Sequence, residues 1–302
     1  MDFVTVTPEQ KQQFDEQGFL IIRNVLDSDA ISAITEASDR LIASDQTENR
    51  QRTNNGLYDG FRNCVSMDDA FMPLLTHPKT FSLVAQLLGP NLGLMTSHLI
   101  YRHPDPPGSP DTSRMPGWHR DHFVSMRDLG HARIPRHSLK IACYLTDLSE
   151  PNTGATMMAS GSNKLKEKIN IPEGQVDPET AIEPLLNPGD CVFFENRTWH
   201  AGAANLTDRI RKAVMFGYCY SWMRPTDYRQ QSPQFVEKLN AMQRFLVGES
   251  VDDTREFQFD GGVNPINTWC EENGFTYQSD HGHDTNMAYT LHGRPTAPGS
   301  RL

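Results

Sequence analysis

The feature that most restricts the fold is a change of period at Asn91. Beyond it come short extended runs: Leu92 to Tyr101, Ser138 to Leu145, Ala155 to Ala159, Cys191 to Phe194 and Arg211 to Tyr220. Turn residues separate them, as at Asn152-Thr153-Gly154 and Asn187-Pro188-Gly189-Asp190, where glycine, proline and asparagine favour chain reversal. Residues 103–117 carry several prolines and glycines and read as a long loop. Ahead of Asn91 the pattern is helical. Thr7 caps a helix with Pro8 first and Gln10 completing a capping box, and Gly18 ends it. Phe19 to Ile22 reads as a strand, and Asp27 or Ser28 caps a second helix running to about residue 44. The polar stretch 45–56 reads as a loop, and His77-Pro78 to Leu88 as a third helix stopped by Gly89-Pro90. Pro233 to Leu246 reads as one later helix. Helices followed by many short strands predict a mainly β protein with flanking helices, either a β-sandwich or a jelly roll (a cupin-like double-stranded β-helix). A dinucleotide-binding α/β fold needs alternating helices and Gly-x-Gly-x-x-Gly after the first strand, and the chain has neither.

The 302 residues fit one large domain, expected over 1–278, followed by a polar tail at 279–302. A formal charge of −10, from 28 basic and 38 acidic residues, argues against nucleic acid or an anionic membrane as partner. No apolar run approaches the roughly 18 residues of a membrane helix, and no signal peptide is visible at Met1 to Thr5. Cys64, Cys143, Cys191, Cys219 and Cys270 have no paired spacing and read as free thiols of a reducing compartment. A cytoplasmic monomer or homodimer acting on a small molecule is the expectation.

The chemistry centres on Gly117-Trp118-His119-Arg120-Asp121. In a strand, residues two apart share a face, so His119 and Asp121 can offer two ligands to one divalent metal. His200, at the end of the apolar run from Cys191, is the best third candidate. Two histidines and one carboxylate make a facial set that leaves the opposite side of the metal open. Arg211 follows His200 by eleven residues, on a strand face shared with Ala213, Met215, Gly217 and Cys219. Small neighbours leave room beside its guanidinium for a carboxylate ligand; a surface ion pair is the plainer alternative.

Four segments resemble the phytanoyl-CoA dioxygenase family of iron(II)- and 2-oxoglutarate-dependent oxygenases. They are Leu99 to Pro104, Trp118 to Asp121, Leu145 to Lys164, and Pro188 to His200 with Arg211. Two departures stand out: Asn163 where the family's Gly-Ser-His-Lys stretch has histidine, and Arg102 where lysine is common. The resemblance implies that His119, Asp121 and His200 hold Fe(II) and that Arg211 binds the distal carboxylate of 2-oxoglutarate. It places His98 where similar proteins touch the cosubstrate, a core histidine being the other reading, and Cys143 on a pocket-facing strand, where a buried thiol is the simpler meaning. With O2 the implied reaction yields succinate and carbon dioxide and oxidises a small molecule, a secondary metabolite first and an acyl-CoA second. Related halogenases lack the carboxylate, so Asp121 points to hydroxylation, desaturation or cyclisation. A non-oxidative jelly-roll metal protein and an inactive binding module are the alternatives of other classes.

Weaker features complete the reading. Trp118 and Trp199 should pack away from the metal, whereas Phe123 should share the face of His119 and Asp121 and line the pocket. Tyr58 and Phe61 read as a lid or a surface loop. His281-Gly282-His283-Asp284 imitates a metal motif in the tail, and Ser300-Arg301-Leu302 varies the peroxisomal Ser-Lys-Leu address.

Overall fold

Thr7 and Gln10 cap each other reciprocally, starting α1 (Pro8–Gln17), and Gly18 ends it at φ 81°. A computed structural model describes residues 2–249 and 264–277 of the chain. After α1 come β1 (Phe19–Ile22), α2 (Ser28–Ala43, capped by Asp27), β2 (Arg50–Thr53) and β3 (Tyr58–Arg62). Then follow α3 (Pro78–Leu88), β4 (Leu92–Arg102), α4 (Phe123–Leu129), β5 (Ser138–Tyr144), β6 (Thr156–Ala159) and β7 (Ala181–Ile182). The described chain closes with β8 (Cys191–Glu195), β9 (His200–Gly202), β10 (Arg211–Tyr220), α5 (Pro233–Val236), α6 (Ala241–Leu246) and α7 (Pro265–Glu272).

Seven strands form one sheet in the order β1-β8-β5-β10-β4-β3-β2, and three form a second, β7-β6-β9. Every pairing is antiparallel. This is the expected jelly roll. Alternation along β10 sorts its side chains: Val214, Phe216 and Tyr218 join the helices in the larger core, while Ala213 and Met215 face the second sheet. Phe81 and Leu88 of α3 bury against that larger core, where removing apolar surface from water stabilises the layer. Met158 of β6 packs with Ala142, Tyr144 and Phe194 between the sheets.

Several expectations need correction. Residues 117–121 do not form a strand; His119 makes one isolated bridge to His200, and the rest is loop. The stretch 45–56 holds β2, an edge strand whose Arg-Gln-Arg-Thr sequence hid it from apolar alternation. Polar edges of this kind discourage pairing with other chains. Arg50 ties β2 to β3 through Asp59 at 3.0 and 2.9 Å. The helix expected over 233–246 is two, because Asn240 caps α6 by accepting from the Gln243 amide at 3.0 Å. Among the described residues no helix is long and apolar enough to cross a membrane. His281 to Asp284 and Ser300 to Leu302 lie outside the described residues.

Candidate metal centre and cosubstrate cavity

The loop after β4 reaches the second sheet through main-chain bonds. Met115 N donates to Gly202 O at 3.0 Å, and Gly202 N to Pro116 O at 2.9 Å. Contact this close requires glycine, since a Cβ at Gly202 would lie 2.0 Å from Met115 O. His119 and His200 then bond to each other through N–H and C=O in both directions, each at 2.9 Å. Their rings stand 4.2 Å apart.

Each histidine uses Nδ1 on its own backbone. His119 Nδ1 lies 2.8 Å from Gly117 O, and His200 Nδ1 lies 3.0 Å from Thr198 O. A carbonyl only accepts, so these contacts place the proton on Nδ1 and leave Nε2 as a free lone pair. Asp121 Oδ2 is 3.8 Å from His200 Nε2. One ligand atom from each of His119, Asp121 and His200 falls within 4.8 Å of the others. Burial pushes the His200 imidazole down to about 3, and His119 beside it adds to that, so it stays neutral and ligand-ready near pH 7. Burial alone would raise the Asp121 carboxyl, but Lys140 and the two histidines hold it below the ordinary carboxylate range. Lys140 Nζ donates to Asp121 Oδ1 at 2.7 Å.

Arg211 opens β10 and is buried. Its Nε donates to Gly154 O at 3.0 Å, its guanidinium lies 5.9 Å from the Tyr144 ring centre, and its Nη1 has no partner. A buried cation costs several kcal/mol unless paired, and Arg211 makes no ion pair among the described residues. His98, on β4 opposite Met215, is buried with Nε2 unpartnered, and burial holds it well below its ordinary value. Both line one cavity of about 170 Å³ together with His119, Asp121 and His200. The donor set and the orphaned guanidinium therefore suit a divalent metal and a dicarboxylate.

Other expectations divide. Trp118 and Trp199 pack with Ala159 and Ile169, away from the cavity. Cys143 is a buried thiol facing the larger core. Arg102 is buried against Asp105 and the His103 carbonyl. Asn163 donates to Glu195 at 2.9 Å and to the Asp15 carbonyl at 3.1 Å. Phe123 does not line the cavity; it is 69% exposed at the start of α4. The strand alternation expected to aim it inward is absent: 117–121 is loop, and α4 begins at Phe123 directly after His122, whose φ is 57°. Tyr58 and Phe61 belong to β3 rather than to a lid: Tyr58 lines the cavity and Phe61 is buried in the larger core. Sequence reasoning missed Lys140, Arg62 and Thr156, which also line the cavity. A lysine inside the otherwise apolar run Leu139 to Tyr144 was the available signal.

A jelly roll that gathers two histidines and a carboxylate beside an unpaired buried arginine has the makings of a mononuclear non-haem iron oxygenase. The family model for phytanoyl-CoA dioxygenase (PhyH) matches residues 14–213, and the chain belongs to that family. It is an iron(II)- and 2-oxoglutarate-dependent dioxygenase. Relatives include the dioxygenase trt7 of Aspergillus terreus, 22% identical over 84% of this chain and 89% of its own length. The peroxisomal phytanoyl-CoA dioxygenase of Rattus norvegicus is 25% identical over 72% of this chain and 70% of its own. Among solved structures, the non-haem α-ketoglutarate-dependent epimerase SnoN from nogalamycin biosynthesis shares the fold at a TM-score of 0.57. It is 22% identical, over 82% of this chain and 92% of its own.

Proposed function

We propose that His119, Asp121 and His200 hold the iron, that Arg211 binds the distal carboxylate of 2-oxoglutarate with His98 beside it, and that the chain hydroxylates a small molecule. One observation carries this reading: the three ligand atoms and the unpartnered Arg211 Nη1 share a single cavity. Iron(II) with bound 2-oxoglutarate and O2 supplies oxidation of a C–H bond, with release of succinate and carbon dioxide. The chain's part is geometry. Gly117 O and Thr198 O hold the histidine rings by Nδ1, and Lys140 holds Asp121 by Oδ1 so that Oδ2 faces His200. Arg211 offers a rigid fork of donors to a carboxylate in a dry setting, where such a bond is strong. Phe194, 4.8 Å from the His200 ring, and Met215 give the cavity an apolar wall beside the ligands.

The cavity is smaller than the roughly 300–1,000 Å³ usual for small-molecule sites. Metal and cosubstrate take most of it, so the prime substrate inserts only its reacting end. The relatives' names span an aminoethylphosphonate, ectoine and phytanoyl-CoA, and we favour a secondary metabolite for this chain over an acyl-CoA. The decisive experiment follows succinate release from 2-oxoglutarate with Fe(II), ascorbate and air. Wild type should release it, and Asp121→Ala and His200→Ala should not. Equal release by the variants would move the metal elsewhere.

A further inference from the structure

His119 and Asp121 are held in different ways. His119 is fixed through its own peptide groups, by the reciprocal bonds to His200. Asp121 has no such hold: among the described residues, the peptide groups of Arg120 and Asp121 make no main-chain hydrogen bond. Lys140 grips the Asp121 carboxylate, not the backbone from which it projects.

Arg120 lies between the two ligands, and its side chain leaves the cavity side and runs into the protein, where the residue is 2% exposed. Its Nη2 donates to Ser162 O at 2.7 Å and to Leu165 O at 3.0 Å, and its Nη1 lies 3.4 Å from His131 Nδ1. The guanidinium stands 5.4 Å from the Trp199 ring centre, and Nε has no partner. Among the described residues Arg120 forms no ion pair. A buried cation without a carboxylate is costly; here neutral carbonyls and an aromatic face offset the cost.

Ser162 links this contact to the third ligand. Trp199 N donates to Ser162 Oγ at 2.8 Å, and Trp199 directly precedes His200. One buried serine thus accepts twice: on its carbonyl from the side chain between the first two ligands, and on its hydroxyl from the peptide before the third.

Resting on the ligand assignment above, we propose that Arg120 is a positioning residue for the metal centre. Anchored on Ser162, Leu165 and Trp199, it fixes the peptide from which Asp121 projects and so sets the carboxylate beside the two histidines.

The test is a double-mutant cycle read by Mn(II) titration of the full chain, at a temperature where circular dichroism shows every variant folded. Arg120→Met should weaken Mn(II) binding by about tenfold or more. In an Asp121→Ala background the same change should cost less than about twofold, because Arg120 acts through the carboxylate. Wild-type affinity in Arg120→Met overturns the proposal. So does an equal loss in both backgrounds, the mark of a residue that only supports the fold. Arg120→Lys keeps the charge without the planar fork and should show part of the loss. It carries the same cycle if Arg120→Met does not fold, and wild-type affinity then overturns the proposal too. Asp121→Ala alone judges the ligand assignment. If it binds Mn(II) as tightly as wild type, that assignment fails and Arg120 falls with it; if it binds weakly while Arg120→Met binds normally, only Arg120 is removed.

Discussion

His119 and His200, 81 positions apart in the chain, are joined by a reciprocal pair of main-chain hydrogen bonds at 2.9 Å each. The proposed metal ligands are thus fixed to each other before any ion arrives. Pre-organisation of this kind removes ordering entropy from the cost of binding.

The first prediction concerns that fastening. Gly202→Ala places a methyl carbon 2.0 Å from Met115 O and 2.7 Å from Met115 C, both backbone atoms. Overpacking should destabilise the fold by about 1–3 kcal/mol, and the displaced loop should weaken Mn(II) binding by about tenfold. Urea unfolding and a Mn(II) titration read the two effects. Wild-type metal affinity in this variant would show that the loop is held from elsewhere.

Arg211→Ala should raise the KM for 2-oxoglutarate by roughly 30-fold or more, because truncating one partner of a buried charged pair costs 2–5 kcal/mol. Arg211→Lys should recover only part of this, since it lacks the planar fork. If the alanine variant keeps the wild-type KM, Arg209, now in an exposed pair 3.6 Å from Asp147, is the next residue to change.

Asp121→Ala should abolish succinate formation in anaerobically reconstituted protein, because the proposed site loses its carboxylate ligand. Activity within about tenfold of wild type would refute the assignment, given that outer contacts alone are worth 10–100-fold.

A fourth prediction is a pH dependence. Burial first, then the neighbouring His122, pushes the His137 imidazole down from 6.5 to about 4. The unfolded chain therefore binds more protons at this residue between those values, and stability rises with pH across the window. Metal-free protein should lose stability on acidification from pH 6.5 toward 4, above the ordinary Asp range. His137→Gln, which cannot take up the proton, should show a shallower fall. Superimposable unfolding midpoints against pH for the two proteins would remove His137 from the account.

Elements with strong local chemistry were legible in the sequence. The reciprocal cap of Thr7 and Gln10 and the strand from Arg211 to Tyr220 need no tertiary information, because caps and alternation are written in neighbouring residues. The grouping of His119, Asp121 and His200 was legible from motif likeness. What escaped depended on single backbone dihedrals or on distant neighbours. His122 in the left-handed region turns Phe123 outward, and no pattern rule marks a histidine for that conformation. Strand β2 is polar because it is an edge, and edge position is a property of the whole sheet. Lys140 stood in plain view within an apolar strand, but its carboxylate partner lies 19 positions away in a loop.

The loop that carries His119 and Asp121 is fastened to β9 by main-chain groups at Met115, Pro116 and His119. Peptide groups are common to nearly every residue, so the fastening places little demand on the side chains along α4, where Phe123, Val124 and Leu129 are exposed. The frame that joins the two proposed histidine ligands can therefore persist while the exposed side chains of α4 change, because none of its bonds runs through that helix.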